Sequence, residues 1–384
     1  MAKVLFFEIQ VTGHHSEYVG HLIDYLSGIK TDDRYFFVLH PEFSSRFREI
    51  ADKAKKISCI TWIEITENEL AESSRGNLIR QSFLWYRLAD NYAQKFDIDH
   101  MCLLYFNVFQ LAMIFKRPSY TVSGILFLQF SRMSISSWSE RLKYFRKYMI
   151  TRGYALNRSI NHVFILNDQR TVNTLNKQFG TTIFHMLPDP IPQLRALKGF
   201  DIYGHYQIPT SRFVFLHNGV LGDRKGTFEF LNAAKFIPKE LHERITFLLV
   251  GKGNPERLTS EIESLRHDTD IQIIWDNQFV SNEFMKALFD QCYAVVIPYK
   301  NAEASSGILG HAAAARKIVI TTGKGLLKEI VNEYGLGLLV EDVHPNLIAD
   351  RIVDSIKEKV YVKKAEEFVL SHTPQFFAAT LLER

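Results

Sequence analysis

The stretch Phe213-Val214-Phe215-Leu216-His217-Asn218-Gly219-Val220-Leu221-Gly222-Asp223-Arg224-Lys225-Gly226-Thr227 decides how this chain folds. An apolar run of strand length, Phe213 to Leu216, gives way to a glycine-rich turn, and a helix is predicted from Thr227. Strand, turn and helix in that order are half of a parallel β-α-β unit. Such a turn suits phosphate. Glycines let the backbone approach closely, the start of the helix offers amides without intrahelical acceptors, and Arg224 with Lys225 can meet a diphosphate. It is not a Walker loop, because Gly226 follows Lys225 where Ser or Thr would hold magnesium. An ordinary turn with solvated cations accounts for the same residues, so the turn alone does not name a site.

The pattern extends in both directions. Strands are predicted upstream at Lys3 to Phe7, Tyr35 to Leu39, Cys59 to Ile63, His100 to Leu104, Tyr120 to Ile125 and His162 to Leu166, so that six fill a first domain. Helices are predicted between them at Glu17 to Ser27, Phe43 to Lys55, Leu78 to Phe96, Val108 to Phe115, Ser139 to Arg158 and Arg170 to Phe179. Leu187-Pro188-Asp189-Pro190-Ile191-Pro192 forbids a helix and favours a stiff connection. Downstream, strands at Phe213 to His217, Ile245 to Val250, Ile271 to Trp275, Ala294 to Pro298 and Val319 to Thr322 alternate with helical stretches, among them Thr227 to Phe236 and Gly307 to Ala315. The fold class is α/β, with domains at 1–190 and 191–364. A final segment, 365–384, has helical period over Ala365 to Leu382 and is expected to cross back to the first domain.

Bulk properties bound the function. A chain of 384 residues with 46% hydrophobic and 23% charged residues can fill two cores. A net charge of +4 falls short of the dense cationic stripes that nucleic-acid binding requires. Cys59, Cys102 and Cys292 are odd in number and scattered, which argues against zinc and against a disulfide framework and for a reduced, cytoplasmic protein. Met1 to Val11 reads as a strand rather than a secretory signal. Leu103 to Phe115 is too short to span a bilayer.

A second candidate region follows Val295-Val296-Ile297-Pro298-Tyr299-Lys300, where a polar loop, Asn301-Ala302-Glu303-Ala304-Ser305-Ser306, leads into a helix at Gly307-Ile308-Leu309. Ligands of open parallel sheets bind beyond the carboxyl ends of the strands, which places this loop in one crevice with Lys225. Glu303 suits sugar hydroxyls, and the amides of Ser306, Gly307 and Ile308 suit an anion. Ser305 and Ser306 acting only as helix caps is the plainer reading, and the two are compatible.

These two stretches, with Phe247-Leu248-Leu249-Val250-Gly251-Lys252-Gly253 between them, resemble glycosyltransferase family 4, the retaining group 1 transferases of GT-B fold. The resemblance implies two Rossmann-like domains facing a cleft, with a nucleotide-sugar donor in the C-terminal domain and an acceptor on the N-terminal side. Gly219 and Lys225-Gly226 match the family's opening donor motif, whose arginine is Val220 here, so Arg224 would stand in for it. Lys225, Arg224 and Glu303 are then the catalytic candidates. Gly219, Ser305, Ser306, Gly307, Ile308, His311 and Glu329 are the donor-binding candidates, with Thr322 and Gly325 matching nearby positions. The family pairs a first Glu with a second eight residues on. Here Glu303 is kept and His311 replaces the second, as in a variant subgroup. His311 is either a ribose contact or a helix residue among alanines.

In the first domain, Thr12-Gly13-His14-His15-Ser16-Glu17 occupies the place of the family's glycine-rich acceptor loop, and Gly124, in Ser123-Gly124-Ile125, is expected to face the same cleft. The resemblance implies hexose-type transfer from a UDP- or GDP-linked donor, with retention, to a glycan or lipid-linked acceptor of surface polysaccharide, without metal or other cofactor. There is no Asp-x-Asp tripeptide. A catalytically silent GT-B protein that binds a glycan or partner is the alternative, since Val220 and His311 depart from the pattern. A Rossmann dehydrogenase is disfavoured, because no Gly-x-Gly-x-x-Gly follows the first strand. Finally, Trp138 to Arg158 interleaves Arg141, Lys143, Arg146, Lys147, Arg152 and Arg158 with Trp138, Tyr144, Phe145, Tyr148 and Met149. It reads either as a peripheral contact with the inner membrane face or as a domain helix with its aromatics inside.

Overall fold

Alternate residues of the first strand enter opposite cores, as the two-residue period of a strand in a doubly covered sheet requires. Leu5 and Phe7 join one cluster with Met101, Val122 and Val163, while Val4 and Phe6 join another with Phe37, Cys102 and Ile125. The computed structural model describes every residue except His14, Leu128, Ser134, residues 302–304 and Arg384. It divides into two compact units, one of Met1–Asp189 with Pro374–Arg384 and one of Pro190–Thr373.

The first unit holds β1 (Lys3–Glu8), β2 (Arg34–Leu39), β3 (Ile60–Glu64), β4 (His100–Leu103), β5 (Thr121–Ile125), β6 (Ile160–Leu166) and β7 (Phe184–Leu187). They form a parallel sheet in the order β3-β2-β1-β4-β5-β6-β7. The seventh strand corrects the expected six. Phe-His-Met-Leu is four residues at a sheet edge, too short for a period to show beside the prolines that follow.

The second unit holds β8 (Phe213–Asn218), β9 (Ile245–Val250), β10 (Gln272–Asp276), β11 (Ala294–Ile297), β12 (Ile318–Thr322) and β13 (Gly337–Val340). Its sheet is parallel in the order β10-β9-β8-β11-β12-β13. Phe215, Phe247 and Leu249 fill one core, Leu216, Leu248 and Val250 the other. In each sheet the strand order reverses once beside the first strand of the unit, between β1 and β4 and between β8 and β11, and such switch points open crevices at the carboxyl ends.

Several predicted helices are shorter than the pattern suggests. Phe43 to Lys55 is two helices, Phe43–Arg46 and Arg48–Ala54, because Phe47 leaves the helical region at φ −127° and ψ 57° and its ring lies 5.0 Å from that of Phe43. Val108 to Phe115 resolves into a 3-10 turn at Phe106–Val108 and a helix at Gln110–Phe115, and Thr227 to Phe236 into the helix Thr227–Asn232 and a 3-10 turn at Ala233–Phe236. The segment from Ala365 is likewise two helices, Ala365–Ser371 and Pro374–Leu382. Pro374 starts a helix well and disfavours helical backbone at Thr373. The second of these helices packs Phe377, Ala378 and Leu381 into the first unit's core beside Tyr18 and Leu22 of the helix His15–Gly28. Among the described residues no helix is long and apolar enough to cross a membrane.

Candidate functional site

At the β8/β11 switch point the chain beyond β8 lies directly on the chain beyond β11. Gly226 has φ +68°, and a Cβ built on it would sit 2.0 Å from the carbonyl oxygen of Pro298, so only glycine permits this approach. Lys300 donates its N–H to the carbonyl of Arg224 at 3.2 Å. The same turn is braced on the β9 side, where Gly219 donates to Val250 O at 3.0 Å and Leu221 to Lys252 O at 2.8 Å.

A buried histidine ties the brace together. His217 Nδ1 lies 2.9 Å from the carbonyl of Val296, which can only accept, so the proton sits on Nδ1. Nε2 then accepts from the hydroxyl of Thr227 at 2.9 Å, and that hydroxyl accepts the N–H of Gly222 at 2.9 Å. Burial pushes the imidazole down to about 4, which keeps it neutral and this chain of donors fixed. Neither His217 nor Thr227 carries a sequence signal for this, because the partners come from β11 and from within the turn itself.

The result is a placed cation. Lys225 Nζ lies 3.6 Å from the ring centroid of Tyr299, which is 5% exposed. Burial, with Arg224 adjacent, brings the ammonium down to about 7. The Tyr299 ring face acts in the other direction and favours the charged form, as an anionic ligand would. Arg224 is exposed. Its neighbours are engaged elsewhere: Asp223 pairs with Arg257 through two bonds of 2.5 and 2.9 Å, and Lys300 pairs with Glu229 at 2.5 Å. Lys225 and Arg224 are thereby the two cations of the turn that no carboxylate among the described residues pairs with.

The other donor-side candidates spread over this unit. Ser306 precedes the helix Gly307–Ala314, but its hydroxyl does not cap that helix and lies 3.5 Å from the Tyr299 hydroxyl. Ser305 is half-buried beside it, and Gly307 and Ile308 form the helix's first turn. His311 stands one turn further on, its ring 5.6 Å from that of Phe289, lining a cavity with Ile191, Pro192 and Lys286. Glu329 is half-buried on the helix Gly325–Tyr334, and Thr322 is buried at the end of β12. Glu303 lies outside the described residues.

In the first unit, Gly13 has φ +71° with open space where a side chain would stand, and His14 lies outside the described residues. His15 opens the first helix and bonds Glu8 at 2.7 Å. Gly124 corrects the expectation that it faces a ligand: it is buried within β5, where a Cβ would lie 2.7 Å from the Leu103 carbonyl and 2.9 Å from the Phe106 ring. Close packing, not substrate, explains this glycine.

Residues 202–369 match the family model described as glycosyl transferases group 1. No curated protein matches the sequence. Solved structures match over nearly the whole chain at low identity. WaaG, a glycosyltransferase involved in lipopolysaccharide biosynthesis, has TM-score 0.65 at 12% identity, covering 100% of both chains. Sucrose-phosphate synthase from Thermosynechococcus elongatus has TM-score 0.71 at 15% identity, covering 99% of this chain and 97% of that one. Anabaena HepE in complex with UDP and glucose has TM-score 0.65 at 15% identity, with 99% and 97% covered. At these identities the likeness is one of fold, the GT-B pair of parallel α/β sheets.

Proposed function

Since residues 202–369 match the group 1 glycosyl transferases, we propose that the chain transfers a hexose from a UDP- or GDP-linked donor to a glycan or lipid-linked acceptor, with retention, in the building of a surface polysaccharide. One observation carries the donor reading: Lys225 is held over Tyr299 at the β8/β11 switch point, beside an exposed Arg224. Breaking a sugar–diphosphate bond leaves negative charge on the diphosphate, and a preorganised ammonium in a partly dehydrated place stabilises it. The UDP and glucose bound to HepE favour UDP over GDP as the first nucleotide to test.

Thermal shifts with UDP, GDP, ADP and CMP test the nucleotide, since a ligand of the folded state raises its stability by mass action. UDP is expected to give the largest shift, and release of UDP from UDP-glucose separates an enzyme from a silent binding protein. The pH dependence has a definite sign. Lys225 has its free value near 7, and an anion favours its charged form. UDP affinity should therefore fall as pH rises from 7 to 9, by up to about tenfold per unit, with proton uptake on binding. A flat profile in wild type, or the same slope in Lys225→Ala, removes Lys225 from the diphosphate site.

We also propose a peripheral membrane contact through the helix Trp138–Ala155. Tyr144 and Tyr148 turn inward onto Phe130, at 5.0 and 5.9 Å. Trp138, Leu142, Phe145 and Met149 turn outward in one stripe, 80, 61, 59 and 47% exposed, flanked by exposed Arg141, Lys143, Arg146 and Arg152. An exposed apolar stripe edged by cations fits an anionic bilayer, where each cation contributes about 1 kcal/mol. The protein should pellet with phosphatidylserine vesicles at low salt, and Phe145→Ser with Arg146→Glu should abolish pelleting. Wild type that stays in the supernatant, or that instead dimerises through this helix, ends the proposal.

A further inference from the structure

A cavity of about 410 Å³ in the first unit lies between the helix Leu78–Phe96 and the end of the helix Gln110–Phe115. The first of these helices sends Trp85, Leu88 and Ala89 into the core and brings Arg80, Phe83, Leu84 and Arg87 to the cavity, at the spacing of one helix face. Lys116 closes the cavity from the second helix. Asp90 also lines it, but its carboxylate already accepts from the Tyr120 hydroxyl at 2.6 Å and from the Gln94 amide at 2.8 Å. Among the described residues no carboxylate pairs with Arg80, Arg87 or Lys116. Ordinary structural roles do not account for these cations. Arg80 sits in the first turn of its helix, where the macrodipole disfavours positive charge. Lys116 follows the last turn of the other helix, but carbonyls there are met by other side chains. Asn157 donates to the carbonyls of Met113 and Lys116 at 2.7 and 2.8 Å, and Arg117 donates to that of Ile114 at 2.9 Å. Apolar surface surrounds the charges. Exposed Leu78 and Ile79 precede Arg80, and exposed Phe115 precedes Lys116, its ring stacked 6.1 Å from that of Phe83.

We propose that this cavity receives the phosphate of an anionic phospholipid headgroup, with the adjoining glycerol and acyl carbons against Phe83 and Leu84. Three like charges around one concave place repel each other, and an anion among them removes that repulsion. The guanidinium forks of Arg80 and Arg87 suit phosphate oxygens, and Lys116 adds a compact charge opposite them. A bare phosphate would use the cations and leave the apolar lining wet, whereas an amphiphile covers both. Basic pockets between helices are a recognised way of holding lipid headgroups. The cavity is distinct from the stripe on the helix Trp138–Ala155, although Ile114 packs against Gly153 of that helix. A headgroup site here goes beyond the peripheral contact proposed for that helix and stands without it, because a single lipid molecule fills the cavity without a bilayer.

Calorimetric titration of the full chain with dihexanoyl phosphatidylglycerol, kept below its micelle-forming concentration so that no bilayer is present, tests the cavity alone. One saturable site is expected. Dihexanoyl phosphatidylcholine, whose choline meets the cations, should bind at least about tenfold more weakly, and so should glycerol 3-phosphate and inorganic phosphate, which lack acyl chains. Arg87→Gln with Lys116→Gln should weaken the phosphatidylglycerol site by at least about tenfold with the melting temperature kept, because both side chains are exposed and unpaired. Arg80→Gln gives a second, independent reading. It removes a cation from the start of a helix, so stability should hold or rise while lipid affinity falls. Phe145→Ser with Arg146→Glu, on the other helix, should change this affinity by no more than about twofold. Wild type that does not bind the lipid, folded cavity variants that bind it as tightly as wild type, or equal binding of phosphatidylcholine overturns the proposal. Equal binding of glycerol 3-phosphate or inorganic phosphate overturns it too, and makes the cavity a site for soluble phosphate. Failure of vesicle pelleting beside a positive titration removes the helix contact and leaves the headgroup site standing.

Discussion

Lys225→Ala should lower sugar transfer by about a hundredfold or more, the usual scale for one lost electrostatic stabiliser, while the protein stays folded. The ammonium lies 3.6 Å from the Tyr299 centroid, partly dehydrated, so little water replaces its charge when the side chain is cut. Two nearby cations are engaged elsewhere. Lys300 is held by Glu229 at 2.5 Å, and Arg257 is committed to Asp223. Because a lysine buried against its charge costs folding free energy, the alanine variant should be at least as stable as wild type. Lower activity with undiminished melting temperature is therefore the expected signature. Arg224→Ala should do less harm, about tenfold, because its guanidinium is exposed and its field is screened. Near-wild-type turnover in both variants would show that neither cation faces the leaving group.

The legibility of this molecule follows from where its signals lie. Strands such as Phe213–Asn218 and Ile245–Val250 are continuous apolar runs because both faces are covered, and that pattern survives in one dimension. The glycines and cations between Gly219 and Gly226 lie in one short stretch, so the turn can be read as a unit. Partners brought together by the sheet are different. Tyr299 beneath Lys225 and Val296 beneath His217 come from β11 and the residues just past it, distant in sequence, and no spacing rule announces them. Glu8 stands in the sequence only as a charged break in an apolar stretch. Its meaning depends on burial, which the sequence does not state. Gly124 shows the converse error: a glycine at a strand end reads as room for a ligand, whereas Phe106 and the Leu103 carbonyl already fill that room.

Gly226→Ala should be severely damaging to the turn beyond β8. Its φ of +68° is left-handed, a conformation that costs a non-glycine residue about 1–2 kcal/mol. Sterics are worse than strain here. The new Cβ would stand 2.0 Å from the Pro298 oxygen, and that atom is backbone anchored by β11, so no side chain can swing aside. The turn beyond β8 must move instead. Movement separates Lys225 from Tyr299 and breaks the bond from Lys300 N to Arg224 O, so UDP binding and transfer should both fall by about a hundredfold or more. Stability should fall by roughly 2 kcal/mol or more, within the range for strain at a special backbone position. Gly219→Ala separates the two causes, since Gly219 has φ +113° but nothing within 4 Å of a built Cβ. It should lose stability through strain while keeping more of its UDP affinity. Equal loss of UDP affinity in the two variants would mean that backbone conformation, and not the contact with Pro298, sets the position of the cation.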